Sequence, residues 1–443
     1  MRVRSVRIGA WGLLLGLSIG SIPVIGAGQS ADGYTMKQRI SRIRSLARQN
    51  DATAIPALTP SLSDPDQQVR LEAVKAIVKI GGEPSLDPLV QATRDRDPEI
   101  RIRATDGIVN QYVPGYVVNS GLGGTFSRGA RQVKGFFASR NDQVVDPDVK
   151  IRPDVSRALA DEIGDGASMD ARTNAALAAG ILRSREAIPA LLQGLHTINS
   201  DMIFECLVAL QKIQDQSAGP GVNFLARDLD ERVQETALET IGVLRSVSAS
   251  PDVHYALVNG RTIKIRRAAL NALAMLAVPA DRTTFQQYAE NGDAELRAAA
   301  IEGLGRLREP ADGPLLRAAY DEANAAWQVH LAAAFALTSE GKVDLEEFSP
   351  LPYLVESLNT KNRAYVANAY LVELAKRQDV RDGLVKLLPG GTKDQKVQLC
   401  SIFATTESAD VLPALTALSK DIDPDVAFAA SRAARILQAR KTS

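Results

Sequence analysis

Aromatic side chains are scarce in this 443-residue sequence: 10 Phe, 9 Tyr and 2 Trp make up 5% of it. By the usual size of a domain, such a length suggests about three of them, and three separate globular cores would be hard to fill with so few rings. Cysteine is nearly missing, with Cys206 and Cys400 alone, so disulfides cannot be the main framework. Net charge is missing as well. The 52 basic and 52 acidic side chains balance to zero, which excludes a disordered acidic tail and a strongly basic nucleic-acid binder. No Gly-rich phosphate loop, nucleophile elbow or zinc-ligand spacing is present, so neither a catalytic constellation nor a cofactor is expected. What is there, 45% hydrophobic and 23% charged, is the composition of a chain that folds around a sizeable core.

The first residues differ from the rest. Arg2, Arg4 and Arg7 come with no acid, followed by the apolar run Ile8 to Ile25, broken by Gly16, Gly20 and Pro23, and then Gly26, Ala27 and Gly28. This pattern predicts a secretory signal peptide over residues 1–27, cleaved near Ala27. An uncleaved anchor is the alternative, because the run approaches the ~20 residues needed to span a bilayer. Removing the three arginines leaves 49 basic against 52 acidic side chains. No second apolar stretch of spanning length follows, so the body is expected outside the cytoplasm, periplasmic or extracellular.

The body repeats. Val69-Arg70-Leu71-Glu72-Ala73-Val74-Lys75-Ala76-Ile77 sets a template with an apolar residue first, Arg second, Ala fifth and apolar residues sixth and ninth. Copies of varying strength start at 69, 100, 171, 202, 233, 265, 296, 329, 366, 397 and 426, and eight of the ten intervals fall between 29 and 33 residues. Steps of three and four place the apolar and small residues on one helical face. Asp97-Pro98 and Asp423-Pro424 provide an N-cap and a first-turn proline, with Asp230 and Asp293 at the equivalent place. A shorter apolar segment precedes several copies, as in Ile188-Pro189-Ala190-Leu191-Leu192 and Leu412-Pro413-Ala414-Leu415. The unit is therefore a helix pair. The fold predicted is all-α, an α-solenoid of stacked antiparallel helix pairs with about eleven ~31-residue repeats. Alanine at the crowded positions lets helices approach without aromatic bulk, which accounts for the missing rings.

Over Ala54 to Arg440 the sequence resembles HEAT-like repeats of the short, phycobilisome-lyase type. The resemblance implies a protein-binding scaffold, with bilin lyases and the iron-dependent deoxyhypusine hydroxylase as catalytic minorities. The hydroxylase implies His-Glu pairs, whereas here the sequence reads His196-Thr197, His254-Tyr255 and His330-Leu331. No metal site is expected, and the histidines are read as structural. In a linear stack the two cysteines, six repeats apart, would be separated by about 50 Å at ~8–10 Å per helix layer, too far for a disulfide. They are expected to be free and buried.

One interval, from Ile100 to Ala171, is 71 residues long. It places a Gly-rich, basic insertion at 111–151. Within it Phe126, Ala130, Val133 and Phe137 would share one helical face and Arg128, Arg131 and Lys134 another, and no acid occurs from Asn119 to Asn141. Phe126, Arg128, Arg131, Val133, Lys134, Phe136 and Phe137 are the candidate contacts to a partner or a membrane surface; packing against the solenoid edge is the plainer alternative. Residues 34–50 read as an N-terminal capping helix, 51–110 and 152–440 as the repeats, and Arg435, Arg440 and Lys441 as cover for the last one. The recurring Arg (70, 101, 172, 266, 297) and Asp (66, 97, 230, 293, 394, 423) are expected to pair between neighbouring repeats and fix their register. The function expected is an exported, non-catalytic scaffold that binds another protein on a curved solenoid surface. The alternatives are a membrane-surface adaptor using 111–151 and a bilin-lyase-like enzyme.

Overall fold

The computed structural model describes residues 33–117, 144–341 and 343–441, and among these no strand occurs. Among the described residues α1 (Met36–Gln49) comes first, and eleven long helices that carry the repeat follow. They are α2 (Gln67–Ile80), α3 (Pro98–Tyr112), α4 (Met169–Ile181), α5 (Ser200–Ile213), α6 (Glu231–Val243), α7 (Ile263–Leu276), α8 (Ala294–Leu307), α9 (Trp327–Glu340), α10 (Lys361–Leu374), α11 (Lys393–Thr405) and α12 (Pro424–Lys441). Each carries one of the eleven template copies. Most are preceded by a shorter helix, such as Ile188–Gly194 or Ser250–Asn259; ahead of α6 this partner is only two 3₁₀ turns, Gln216–Gly221 and Asn223–Arg227. Pro220 stands inside the first of these turns and removes a backbone donor that a longer α-helix would need.

The turn into the long helix has a shared construction. Asp66, Asp97, Asp230 and Asp293 are N-caps that accept backbone N–H groups of the first turn. Two residues earlier a second Asx side chain accepts the cap's own N–H: Asp64 for Asp66, Asp95 for Asp97, Asp228 for Asp230, Asn291 for Asp293 and Asp421 for Asp423, at 2.8 to 3.0 Å. Two side chains thus satisfy donors that a buried helix start would leave orphaned. Asp394 departs from the expected pattern. It lies inside α11, whose cap is Thr392 in a reciprocal capping box with Gln395.

The Arg–Asp ladder is built differently from expectation. Arg70 does cross to the next repeat, where Nε and Nη2 lie 2.7 and 3.0 Å from Asp95, but Asp95 is the second Asx of the turn and not the cap. Arg101 reaches Glu162 at 2.5 Å, Arg297 reaches Glu322 at 2.6 Å, and Arg172 caps the Ile163 carbonyl at 2.8 Å. In α7 it is Arg267, not the exposed Arg266, that grips the Asp293 cap at 2.5 Å. Neighbouring positions therefore exchange this role from repeat to repeat.

The core forms two clusters that meet in α9. Ala332, Ala333 and Ala336 belong to the first and Leu331, Ala334 and Phe335 to the second. Such a helix must be apolar all round, and Val329, Leu331 to Ala336, Thr338 and Ser339 are all buried. The break coincides with the longest interval after the insertion, 329 to 366, which contains the extra residues 341–349. At the other end α1 packs on α2 through Ile43 and Ala47. Arg440 donates to the Thr405 and Thr406 carbonyls of the preceding repeat at 3.4 and 3.1 Å. Arg435, also expected to cover the last repeat, instead pairs with Asp146 and Asp148.

The stack is not linear. Arg245, just after α6, lies 3.6 Å from Glu373 of α10, four repeats further on. A straight stack would hold such residues about 40 Å apart at ~10 Å per layer, so the superhelix turns back tightly and carries the ends of the long helices on its inner, concave side. Not every small residue serves close packing. A Cβ added at Gly164, inside the helix Pro153–Asp165, would meet nothing within 4 Å. Gly164→Ala is therefore expected to raise stability by about 0.5 kcal/mol through the lost backbone freedom of the unfolded chain, read as a higher urea midpoint; a lower one would count against this.

Candidate interaction surfaces

The concave side carries a buried polar network built from three successive repeats. Glu302 and Arg306 stand one turn apart on α8, and Arg306 Nε donates to Glu302 Oε1 at 2.9 Å. The same guanidinium reaches past α9 to α10, where Nη1 lies 2.5 and 2.6 Å from the two Glu373 oxygens. Tyr370 Oη donates to Glu302 Oε2 at 2.7 Å, and its ring stacks on Phe335 of α9 with centroids 4.5 Å apart. Burial works against the Arg306 charge, but Glu302 and Glu373 outweigh it and hold the guanidinium well above its ordinary value. Burial likewise pushes Glu373 up, yet Arg306 holds its carboxyl below the usual range. Burial, with Glu302 beside it, raises the Tyr370 phenol well above its ordinary value. Every charged group here is engaged with another. The network ties α8 to α10.

Beside it lies a cleft of about 720 Å³ lined by Arg308, Arg317, Glu340, Asp344 and Arg377 among others. Arg377 is committed to structure, because its guanidinium donates to the Thr338, Ser339 and Gly341 carbonyls at 2.5, 2.9 and 3.0 Å and so closes the C-terminal end of α9. The histidines each have a local partner. His196 stacks on Phe224 at 4.7 Å, His254 Nε2 is 2.7 Å from Asp281, and His330 Nε2 is 2.8 Å from the Glu322 carbonyl. Among the described residues no group of three His, Cys, Asp or Glu is placed to hold a metal. Cys206 and Cys400 are free and buried, one in each core cluster. Burial pushes both thiols up to about 12, so neither is a ready nucleophile.

All seven candidate contact residues from Phe126 to Phe137 lie outside the described residues. The structure does describe where their segment is rooted. On one side Tyr116 is buried and Val117 N–H donates to Asn110 Oδ1 at 3.0 Å; on the other Val145 is buried and its N–H donates to the Ile181 carbonyl at 2.8 Å. Both roots sit at the C-terminal ends of neighbouring long helices, α3 and α4.

A family model described as HEAT repeats matches residues 37–108 and 250–338. Those two stretches match HEAT repeats, in line with the stacked helix pairs of the fold. Among curated proteins none matches it. Solved structures with a similar fold include the complex of CpcE and CpcF of phycocyanin lyase from Nostoc sp. PCC7120, at 18% identity over 61% of this chain and 92% of that one, with a TM-score of 0.35. An engineered protein is similar at 16% identity over 90% of this chain and 99% of its own, with a TM-score of 0.31. Importin beta is similar at 13% identity over 91% of this chain and 64% of its own, with a TM-score of 0.37.

Between the two matched stretches the helix pairs continue, and part of the exposed apolar surface lies on and just after them, the rest including Phe348, Tyr365, Ile422 and Phe428 further along the chain. Ile198 and Leu229 are 104% and 84% exposed, and each stands directly before an N-cap, Asn199 and Asp230. In the next pair Tyr255 and Val258 are exposed along the short helix Ser250–Asn259, with Arg227 lying 4.1 Å over the Tyr255 ring. Sequence reasoning passed over these residues. The available signal was an apolar residue in a turn position that Arg96 and Gly292 fill in other repeats.

Proposed function

We propose that the chain is an exported, non-catalytic HEAT-repeat scaffold that binds another protein along its curved surface. The observation that carries this reading is the run of exposed apolar side chains on consecutive repeats, Ile198, Leu229, Tyr255 and Val258, on a fold whose own apolar faces are already buried. Large apolar side chains grouped on a surface favour association. The location outside the cytoplasm is supported by the Arg2, Arg4 and Arg7 start and the apolar run behind it.

Proximity labelling in the native host tests it, comparing the wild type with Ile198→Asp/Leu229→Asp/Val258→Asp. The expected result is a defined set of labelled extracytoplasmic proteins that the variant loses while keeping its helical circular dichroism. Identical sets would overturn the docking surface, cytoplasmic labelling would overturn the export, and a chromophore on the purified protein would overturn the non-catalytic part.

A second reading is favoured by the described ends of the insertion, which are held at the C-terminal ends of α3 and α4, and by the sequence between them. Here the acid-free stretch holding Phe126, Arg128, Arg131, Val133, Lys134, Phe136 and Phe137 would contact anionic lipid. Flotation with anionic liposomes that is lost on deleting 121–140 supports it, and equal flotation of both chains overturns it.

A further inference from the structure

The last residues of the insertion form an arm on the surface of α4, held by the buried Val145 and its bond to the Ile181 carbonyl. Asp146 and Asp148 project from the arm with side chains only 17% and 11% exposed. What shields them is the far end of the chain. Arg432 of α12 donates through Nε to Asp146 Oδ2 at 2.9 Å and through Nη2 to Asp146 Oδ1, while Arg435 lies 3.2 Å from both Asp146 and Asp148. These partners are 286 to 289 residues apart in the chain. The superhelix thus returns its last repeat to its first third.

The seam differs from every other contact between repeats. Neighbouring pairs share apolar core within one cluster or meet in α9, but Val145 belongs to the first core cluster and Ile436 and Leu437 of α12 to the second. Charge holds the seam, and not all of it attracts. Arg183, at the end of α4, has a buried Nε with no hydrogen-bond partner, and burial together with the nearby charge of Arg440 keeps its guanidinium below its ordinary value.

We propose that Asp146 and Asp148 with Arg432 and Arg435 form an ionic clasp that opens and closes the superhelix, and so sets the width of the concave surface a partner meets. The use of the clasp rests on reading the curved surface as the working one. Its existence does not. Ion pairs at a solvated seam are individually weak and are screened by salt, and among the described residues the core clusters on its two sides do not merge across it. Two other contacts across the groove, Arg245 to Glu373 and Arg306 to Glu373, lie between nearer repeats and would hold the inner turn while the ends separate.

Small-angle scattering of the full chain tests the clasp without any partner, so its failure is distinct from a failure of the scaffold reading. Between about 0.1 M and about 1 M NaCl, where the screening length falls from ~10 to ~3 Å, the wild-type radius of gyration and maximum dimension should increase. Asp146→Lys/Asp148→Lys should be open at low salt and insensitive to added salt, and Arg432→Asp/Arg435→Asp should behave the same way. Combining the four substitutions should restore the compact form at low salt. Helical circular dichroism checks that each variant is folded. A wild-type radius that does not move with salt, or a fourfold variant that stays open, would overturn the clasp.

Discussion

Arg306→Ala should lose about 3–5 kcal/mol of stability, the range found when one partner of a buried ion pair is removed. The Arg306 side chain is 9% exposed, and its removal leaves Glu302 and Glu373 facing each other with the Tyr370 hydroxyl and the more distant Arg245 and Lys376 as partial compensation. Most of the loss would thus be the cost of two carboxylates stranded without their counter-ion. This makes a second measurement decisive: Arg306→Met with Glu302→Gln and Glu373→Gln removes all three charges and should recover much of the loss, since neutral replacements of buried ion clusters are often close to neutral. Urea unfolding followed by circular dichroism reads both. If the triple variant is as weak as Arg306→Ala, shape and not charge is what the site contributes. The pH dependence has a defined sign. Glu373 is held below its ordinary value in the folded chain, so its contribution is present above the unfolded carboxylate pKa of about 4.3 and is lost as pH falls through the folded value. The wild type should therefore weaken in acid more steeply than the triple variant.

Gly305→Ala is the second substitution with a large expected cost, although it adds one methyl group. A Cβ at Gly305 would stand 2.5 Å from the Ala336 Cα and closer still to its Cβ, so the clash is with the α9 backbone and no rotamer relieves it. Separating α8 from α9 should cost about 3 kcal/mol or more, the upper part of the range for overpacking. The same contact recurs every second repeat. A Cβ at Gly180 would lie 2.7 Å from the Ala209 Cα, and one at Gly242 would lie 3.2 Å from the Ala272 Cα. Destabilisation should follow that order, with Gly305→Ala worst and Gly242→Ala mildest, and with Gly164→Ala opposite in sign. An unfolding series in which the three costs are equal would show that helix propensity and not interhelical contact sets them. Each cost is expected to appear as local as well as global unfolding, because repeats are stabilised by nearest neighbours.

Much of this molecule follows from local rules that act within one repeat length. The apolar spacing that begins at Val69 or Leu296 determines a helix and its buried face, and the Asp at 66, 97, 230 and 293 determines where each helix begins. The burial of Cys206 and Cys400 follows from the same periodicity. Where a signal needs more than one residue type, reading by pattern misplaces it. Asp394 has the right spacing, but Thr392 with Gln395 three residues on completes a reciprocal box that outcompetes it. The Asx residues at 64, 95, 228, 291 and 421 were legible as an Asx-x-Asp pattern once the cap was placed.

By itself, then, the sequence determined the repeat, its all-α character and the small-residue contacts that let eleven pairs stack, because those depend on spacings of three, four and thirty-one residues. Only the tertiary structure decided what the stack does as a whole. The curvature that brings Arg245 to Glu373 and Arg432 to Asp146 accumulates from a small rotation at every interface. No single repeat encodes that sum. Only the folded stack likewise shows that Arg267 and not Arg266 grips Asp293, and that Ile198 and Leu229 face solvent on adjacent repeats. Contacts between residues some 290 positions apart carry no periodic signature, so the pairing of two ordinary aspartates with two ordinary arginines becomes visible only when the coil has closed.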